Sequence, residues 1–321
     1  MPSDPSARSP LAGRLPIELE PPRDDFDALE GYARTLTSSG WYRVVRRFQP
    51  RYRYEADDGT PTRTALFVDV ETTGLDAERD AIIELACVPF QYAPTDGRVF
   101  TVGDPLVCLE DPRRPIPESV TELTGLTNDM VRGQRIDDDA VARLLAGASL
   151  VIAHNARFDR RCIERRLPAF ARKPWACSQH EVPWKTLGCS SYSLEYILLK
   201  TCGEFFDGHH AADDCCVGIH ILASRSHTGA LPMQLLLESA RKDAVHVWAV
   251  DAPIAHKDAL KARGYHWHPG DATRAKAWHK VIDEAHIAAE RAWLAEQVYA
   301  GLEARWREEP ITAMDRYSAR G

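Results

Sequence analysis

The chain has 321 residues, 44% hydrophobic and 27% charged, with a formal net charge of −7. That length admits one large domain or two ordinary ones, each with a substantial core, and the charge excludes a uniformly basic nucleic-acid binder while allowing local basic patches. No apolar stretch approaches a membrane span and the N-terminus lacks the apolar segment of a secretion signal, so the chain is read as cytoplasmic.

Residues 1–24 are rich in Pro, Ser and charge without periodicity and read as a flexible arm. A short N-terminal extension over 25–63 follows. In it the spacing of Phe26, Leu29, Tyr32, Ala33 and Leu36 predicts an amphipathic helix over 26–36. After the helix, Arg43, Arg46, Arg47, Arg51 and Arg53 interleave with Trp41, Tyr42, Phe48, Tyr52 and Tyr54. Such a segment either contacts phosphates and stacked bases or packs its aromatics on the core with its arginines in water, and both readings stay open.

Residues 64–228 alternate between strand and helix patterns. Strands are predicted over 65–70, 82–90, 99–109, 149–154 and, more weakly, 175–178; helices over 118–123, 138–146, 157–167, 193–201 and 211–223. Three strands without intervening helices, then a helix-strand-helix alternation, predict an α/β fold with a mixed sheet flanked by helices. Eight scattered cysteines with no C-x-x-C pair read as reduced thiols rather than a disulfide framework or a zinc site. A boundary is read near 231–232.

A small α+β domain is expected over 240–321, opening with a strand near 245 and a helix over 255–263. Gly264 stands where a helix C-cap would. Residues 241–280 carry eight Lys/Arg against four Asp, a local +4. Tyr265, Trp267 and Trp278 are therefore either stacking platforms beside Lys257, Lys261, Lys276 and Lys280 or the core of this small domain. His266 and His268 alone do not make a zinc site. A long Ala/Glu-rich helix is predicted over 281–307.

The chemistry concentrates in the first strand, L-F-V-D-V-E-T-T-G-L-D. Alternation places Asp69 and Glu71 on one face among Leu, Phe and Val. Buried carboxylates of like charge are costly unless a cation neutralises them, and an oxygen-rich pair suits Mg²⁺ or Mn²⁺. At the C-terminal end of the strand over 149–154 stand His154 and Asn155, with Asp159 about one turn into the next helix; in open α/β sheets sites are built at that edge. His209, His210, Asp213 and Asp214 cluster at the start of a further apolar helix.

In this order D-x-E-T-T-G, H-N-x-x-F-D and H-x(4)-D resemble the motifs of the DEDD superfamily of 3′→5′ exonucleases, in its histidine-bearing branch, which includes the proofreading epsilon subunit of bacterial DNA polymerase III. The resemblance covers residues 64–225. It implies a ribonuclease-H-like fold with a five-stranded mixed sheet. The spacing of four residues selects His209 and Asp214 from the two doublets, and His at 210 argues against the tyrosine-bearing branch.

The resemblance implies two divalent ions, Mg²⁺ or Mn²⁺, held by Asp69, Glu71, Asp159 and Asp214, with Asp69 bridging. His209 is the implied general base for the attacking water. The backbone over 72–75 (Thr72, Thr73, Gly74, Leu75) is expected to approach the terminal nucleotide, with a Thr hydroxyl bonding it and Leu75 wedged against the last base. His154 and Asn155 are expected on the substrate side. The implied activity is 3′→5′ hydrolysis of DNA ends, single-stranded or frayed, with a polymerase or repair partner. The alternatives are an RNA 3′-end-trimming exoribonuclease and a non-catalytic nucleic-acid-binding or scaffold protein.

Overall fold

The computed structural model describes residues 26–270, 274–300, 303 and 305–319; the expected arm at 1–24 lies outside them. The chain divides into two compact units, Met1–Leu237 and Glu238–Gly321. In the first, helix α1 (Phe26–Ser38) and a two-residue strand β1 (Arg46–Arg47) precede β2 (Arg63–Thr72), β3 (Ile82–Tyr92), β4 (Val99–Val102) and β5 (Leu106–Leu109). Then come α2 (Glu118–Thr124), α3 (Asn128–Val131), α4 (Asp138–Gly147), β6 (Leu150–Ala153), α5 (Ala156–Arg166), β7 (Trp175–Cys177) and α6 (Leu194–Cys202). Strand β8 (Glu204–Phe205) pairs in parallel with β1, α7 (Ala211–Ala223) follows, and α8 (Pro232–Ala240) spans the division between the units.

The main sheet runs β4-β3-β2-β6-β7, with β5 also on β3. β2 and β3 are antiparallel, whereas β6 is parallel to β2 and β7 to β6. This is the mixed, helix-flanked sheet expected. The third strand, expected over 99–109, is broken at 103–105 into β4 and β5, which gives six strands instead of five. Pro105 has no amide hydrogen for the ladder, and a Cβ at Gly103 would come within 3.0 Å of Pro89, so the chain leaves the sheet there.

β2 is central and covered on both faces, with Leu66, Phe67 and Val68 fully buried, as its β-branched and aromatic content favours. α7 lies against it. A Cβ at Gly218 would come within 2.2 Å of the Phe67 ring, so only glycine allows helix and strand to approach this closely.

The arginine- and aromatic-rich segment divides its aromatics between core and water. Phe48 and Tyr54 face His220 of α7 with ring centroids 5.1 and 5.7 Å away, and the Tyr54 hydroxyl lies 3.1 Å from His220 Nδ1. Trp41, Tyr42 and Tyr52 are exposed. Arg46, Arg47 and Arg51 pair with Glu30, Asp207 and Glu204.

The second unit contains β9 (Ala244–Val250), α9 (Lys257–Ala262), β10 (His266–His268), β11 (Ala277–Asp283), α10 (Glu284–Trp293) and β12 (Trp306–Ile311). Its antiparallel sheet runs β10-β11-β9-β12. Tyr265 and Trp278 join Val247, Leu260 and Leu294 in its core, whereas Trp267 is 51% exposed. The stacking reading thus loses two of its three aromatics.

The helix expected over 281–307 is corrected at both ends. Val281 and Ile282 continue β11 opposite His246 and Val245, and the helix begins only after Asp283 at its N-cap position. At the other end Trp306 opens β12, an edge strand, which is where a sheet accommodates a proline such as Pro310. All eight cysteines are free. Among the described residues no helix is long and apolar enough to cross a membrane.

Candidate active site

The C-terminal half of β2 presents Asp69 and Glu71 on one face, and α7 brings Asp214 to them in its first turn. One carboxylate oxygen from each of these three residues lies within 4.8 Å of the other two. Asp159, in the first turn of α5, is buried beside them and raises the pKa of Asp69. Four acids from three separate elements therefore meet.

Their electrostatics follow from that crowding. Burial, then Asp159, Asp214, Glu71 and Glu84, push the Asp69 carboxyl well above the usual carboxylate range. Burial and then Asp214 push Glu71 up to about 8. Asp159 rises to about 7 through burial, with its backbone hydrogen bonds opposing. Asp214 also rises to about 7, through burial and then Glu195. Buried acids that repel one another are a fitting cradle for a hard divalent ion with oxygen ligands.

The loop that carries His209 is held by the acid beside it. The amides of His209 and His210 both donate to Asp214 Oδ2, at 3.0 and 3.2 Å. His209 sits at φ 71°, a left-handed conformation that costs a non-glycine residue about 1–3 kcal/mol. Its side chain is exposed. His210 instead turns toward Gly125, Glu84 and Asp213, and Asp213 faces His210, Arg47 and Asp207. Of the second doublet, Asp214 joins Asp69 and Glu71, whereas Asp213 does not.

The loop between β2 and β3 is clamped by its own hydroxyls. Thr72 Oγ1 donates to the Gly74 carbonyl at 2.5 Å, and Thr73 Oγ1 donates to Asp80 Oδ1 at 3.0 Å while accepting from Ala81 N and Arg114 Nη2. A Cβ at Gly74 would come within 2.5 Å of Asp80 Oδ2. Both hydroxyl protons are therefore donated inside the loop, and Thr72 Oγ1 keeps acceptor capacity for a substrate hydroxyl. What faces outward is Leu75, 92% exposed at the loop tip.

His154 is held by its neighbours. Its Nδ1 lies 2.9 Å from Ser178 Oγ and its Nε2 2.8 Å from the Tyr192 carbonyl, and burial lowers its pKa to about 4. Both ring nitrogens are committed to the protein. Asn155 is exposed at the N-cap position of α5, with no side-chain cap bond.

Three residues escaped the motif reading. Asp80 and Arg114 brace the loop from positions that carry no local signal, and their role becomes visible only when the chain closes. Glu84 did leave a signal: it is an acid inside the apolar run I-I-E-L, the same irregularity that marked Asp69 and Glu71. It faces Glu71 across the β2/β3 ladder, and burial raises its pKa.

A family model described as Exonuclease, of the RNase T type, matches residues 66–222. The PolC-type DNA polymerase III of Thermotoga maritima is 30% identical over 185 residues, covering 54% of this chain and 13% of the polymerase. That of Clostridium perfringens is 34% identical over 126 residues, covering 36% of this chain and 8% of the polymerase. The chain thus spans only about a tenth of the length of these relatives. Among solved structures, a zinc-bound complex of Escherichia coli exonuclease I with single-stranded DNA aligns at TM-score 0.46 and 17% identity, covering 69% of this chain and 63% of that one. A complex of exonuclease X with 5′-overhanging duplex DNA aligns at TM-score 0.36 and 20% identity, covering 53% and 99%. With its motif order, its mixed sheet and the match over residues 66–222, the domain belongs to the DEDD superfamily of 3′→5′ exonucleases.

Proposed function

We propose that the chain hydrolyses nucleotides from the 3′ ends of DNA, single-stranded or frayed, and depends on two divalent cations, Mg²⁺ or Mn²⁺. The observation that carries this reading is the convergence of Asp69, Glu71 and Asp214 within 4.8 Å, with Asp159 buried beside them. DNA is favoured over RNA because the relatives matched over this domain are DNA polymerases. The same likeness makes a polymerase or repair complex the proposed working context.

When bound, the cations would neutralise the phosphate and the departing 3′-oxygen. The chain's own residues do the rest. Asp69, Glu71 and Asp214, with Asp159 beside them, would hold the cations. The exposed His209 side chain, whose backbone amide is held by Asp214, takes the proton from the water that attacks phosphorus, and the 3′-oxygen of the preceding nucleotide leaves with the bonding electrons. The Asp214 carboxylate fixes the backbone of His209, so acceptor and acid move as one unit. Leu75 meets the terminal base from the loop tip, and the Thr72, Thr73 and Asp80 bonds keep that tip from folding away.

Matched 5′-labelled DNA and RNA oligonucleotides, with free or phosphorothioate-blocked 3′ ends, test this reading. Stepwise shortening of DNA from free 3′ ends only is expected. Preferential loss of RNA would move the assignment to RNA trimming, and immediate release of the labelled 5′ nucleotide would contradict the polarity.

A further inference from the structure

We infer that Glu84, outside the motif set, is a positioning residue that ties the start of α7 to the sheet and so sets His209 and Asp214 against Asp69 and Glu71. The inference rests on the proposed nuclease reading for its kinetic consequence and on geometry for its substance. Glu84 is paired directly opposite Glu71 in the β2/β3 ladder, immediately before the irregularity at Glu71/Thr72. Directly opposed residues share a face, so Glu84 points with Asp69 and Glu71 toward α7.

There its Oε2 accepts the Ala211 amide at 3.1 Å. The first amides of a helix have no partner inside it, and the N-cap residue of α7, His210, supplies none from its side chain. Two carboxylates take over this role. Asp214 accepts the amides of His209 and His210 from within the helix, and Glu84 accepts that of Ala211 from the neighbouring strand. Of these three bonds only the one from Glu84 ties the helix start to β3. Ala211 stands two residues after His209 and three before Asp214, so this bond fixes where both fall.

Glu84 is not among the described residues whose oxygens cluster tightly enough to hold a metal. It adds negative charge to a site already crowded with it. Its side chain supplies an acceptor oxygen of the right reach for a helix-start amide that has no partner within the helix.

Two conservative variants separate reach from charge. Glu84→Gln keeps the length and an accepting oxygen but removes the charge; Glu84→Asp keeps the charge but is one methylene too short. With single-stranded DNA and saturating Mg²⁺, Glu84→Asp is expected to lose roughly 10–100-fold in kcat with KM near wild type, as loss of supporting contacts around a metal site does. Glu84→Gln should stay within about threefold by the same measure. Hydrogen exchange of the amides at 209–214 should quicken in Glu84→Asp and not in Glu84→Gln. The reverse order, with Gln impaired and Asp intact, or wild-type kcat and exchange in both, would overturn the inference. An inactive wild-type protein would count against the nuclease reading instead, and exchange at 209–214 would still decide whether Glu84 anchors the helix.

Discussion

Burial and four neighbouring carboxylates push the Asp69 carboxyl well above the usual carboxylate range, and this sets the first expectation at the residue scale. Without metal, Glu71, Asp159 and Asp214 keep protons up to about 8, 7 and 7, far above their unfolded values. Between those limits the folded state binds more protons than the unfolded one, so stability falls as pH rises. The buried His154 and His220, lowered to about 4, act in the opposite direction but only below about pH 6.5, so the window from pH 6.5 to 8.5 isolates the acids. In EDTA the first unit should lose on the order of 3 kcal/mol across that window, or roughly 5–10 °C in Tm, and saturating Mn²⁺ should flatten the slope. A melting temperature independent of pH in EDTA would show that the acids are not mutually strained. At the rim, His209→Ala should lower kcat by about 10²–10³-fold with KM near wild type, while His210→Ala should cost less than about fivefold. Equal losses in steady-state assays would mean that the two imidazoles had been assigned the wrong way round.

At the scale of elements, the approach of α7 to β2 decides whether Asp214 reaches Asp69. Gly218→Ala would force a Cβ into the Phe67 ring, at a cost of about 1–3 kcal/mol or more. Because the helix must then shift, activity should fall further than the loss of stability alone explains, and Mn²⁺ affinity measured by calorimetry should weaken with it; unchanged affinity would show that the helix tolerates the added methyl without moving Asp214. Elements whose signals are local were legible in the chain: the apolar run of α7 between His210 and Ser224, the alternation of β2, and the acids on its buried face. Features that depend on distant partners were not. The hydroxyl of Thr73 looked available until Asp80 and Arg114 closed on the loop, and so did the ring nitrogens of His154 until Ser178 and Tyr192 took them. In the second unit the Ala/Glu-rich composition suggested one long helix, because strands β11 and β12 owe their existence to pairing with β9 rather than to a pattern of their own.

At the scale of the whole molecule the two units should respond oppositely to acid. In the second, burial and then His279, Arg274 and His268 lower His246 to about 4. Its unfolded counterpart takes a proton near 6.5, so stability drains away as pH falls from there toward 4, by on the order of 3 kcal/mol. Glu308, held below the usual carboxylate range by Arg291, adds loss in the same direction. The raised acids of the first unit gain stability over that range and offset its own buried histidines. Calorimetry at pH 5 should therefore resolve an early transition that Mn²⁺ does not move. Tryptophan fluorescence should report it, since Trp248, Trp267, Trp278, Trp293 and Trp306, five of the eight tryptophans, lie in the second unit. A single transition at pH 5, identical in His246→Asn, would contradict this division of the acid response.

The central claim is that the four converging carboxylates exist to hold divalent cations for hydrolysis at a 3′ end. It is tested most directly by following a 5′-labelled single-stranded DNA with Mg²⁺, Mn²⁺ or EDTA, for wild type and Asp69→Ala. The account predicts a ladder of shortened products that still carry the label, formed with either metal, abolished by EDTA, and reduced at least about 10³-fold by the substitution. A ladder of equal intensity from Asp69→Ala, or one that persists in EDTA, would contradict it.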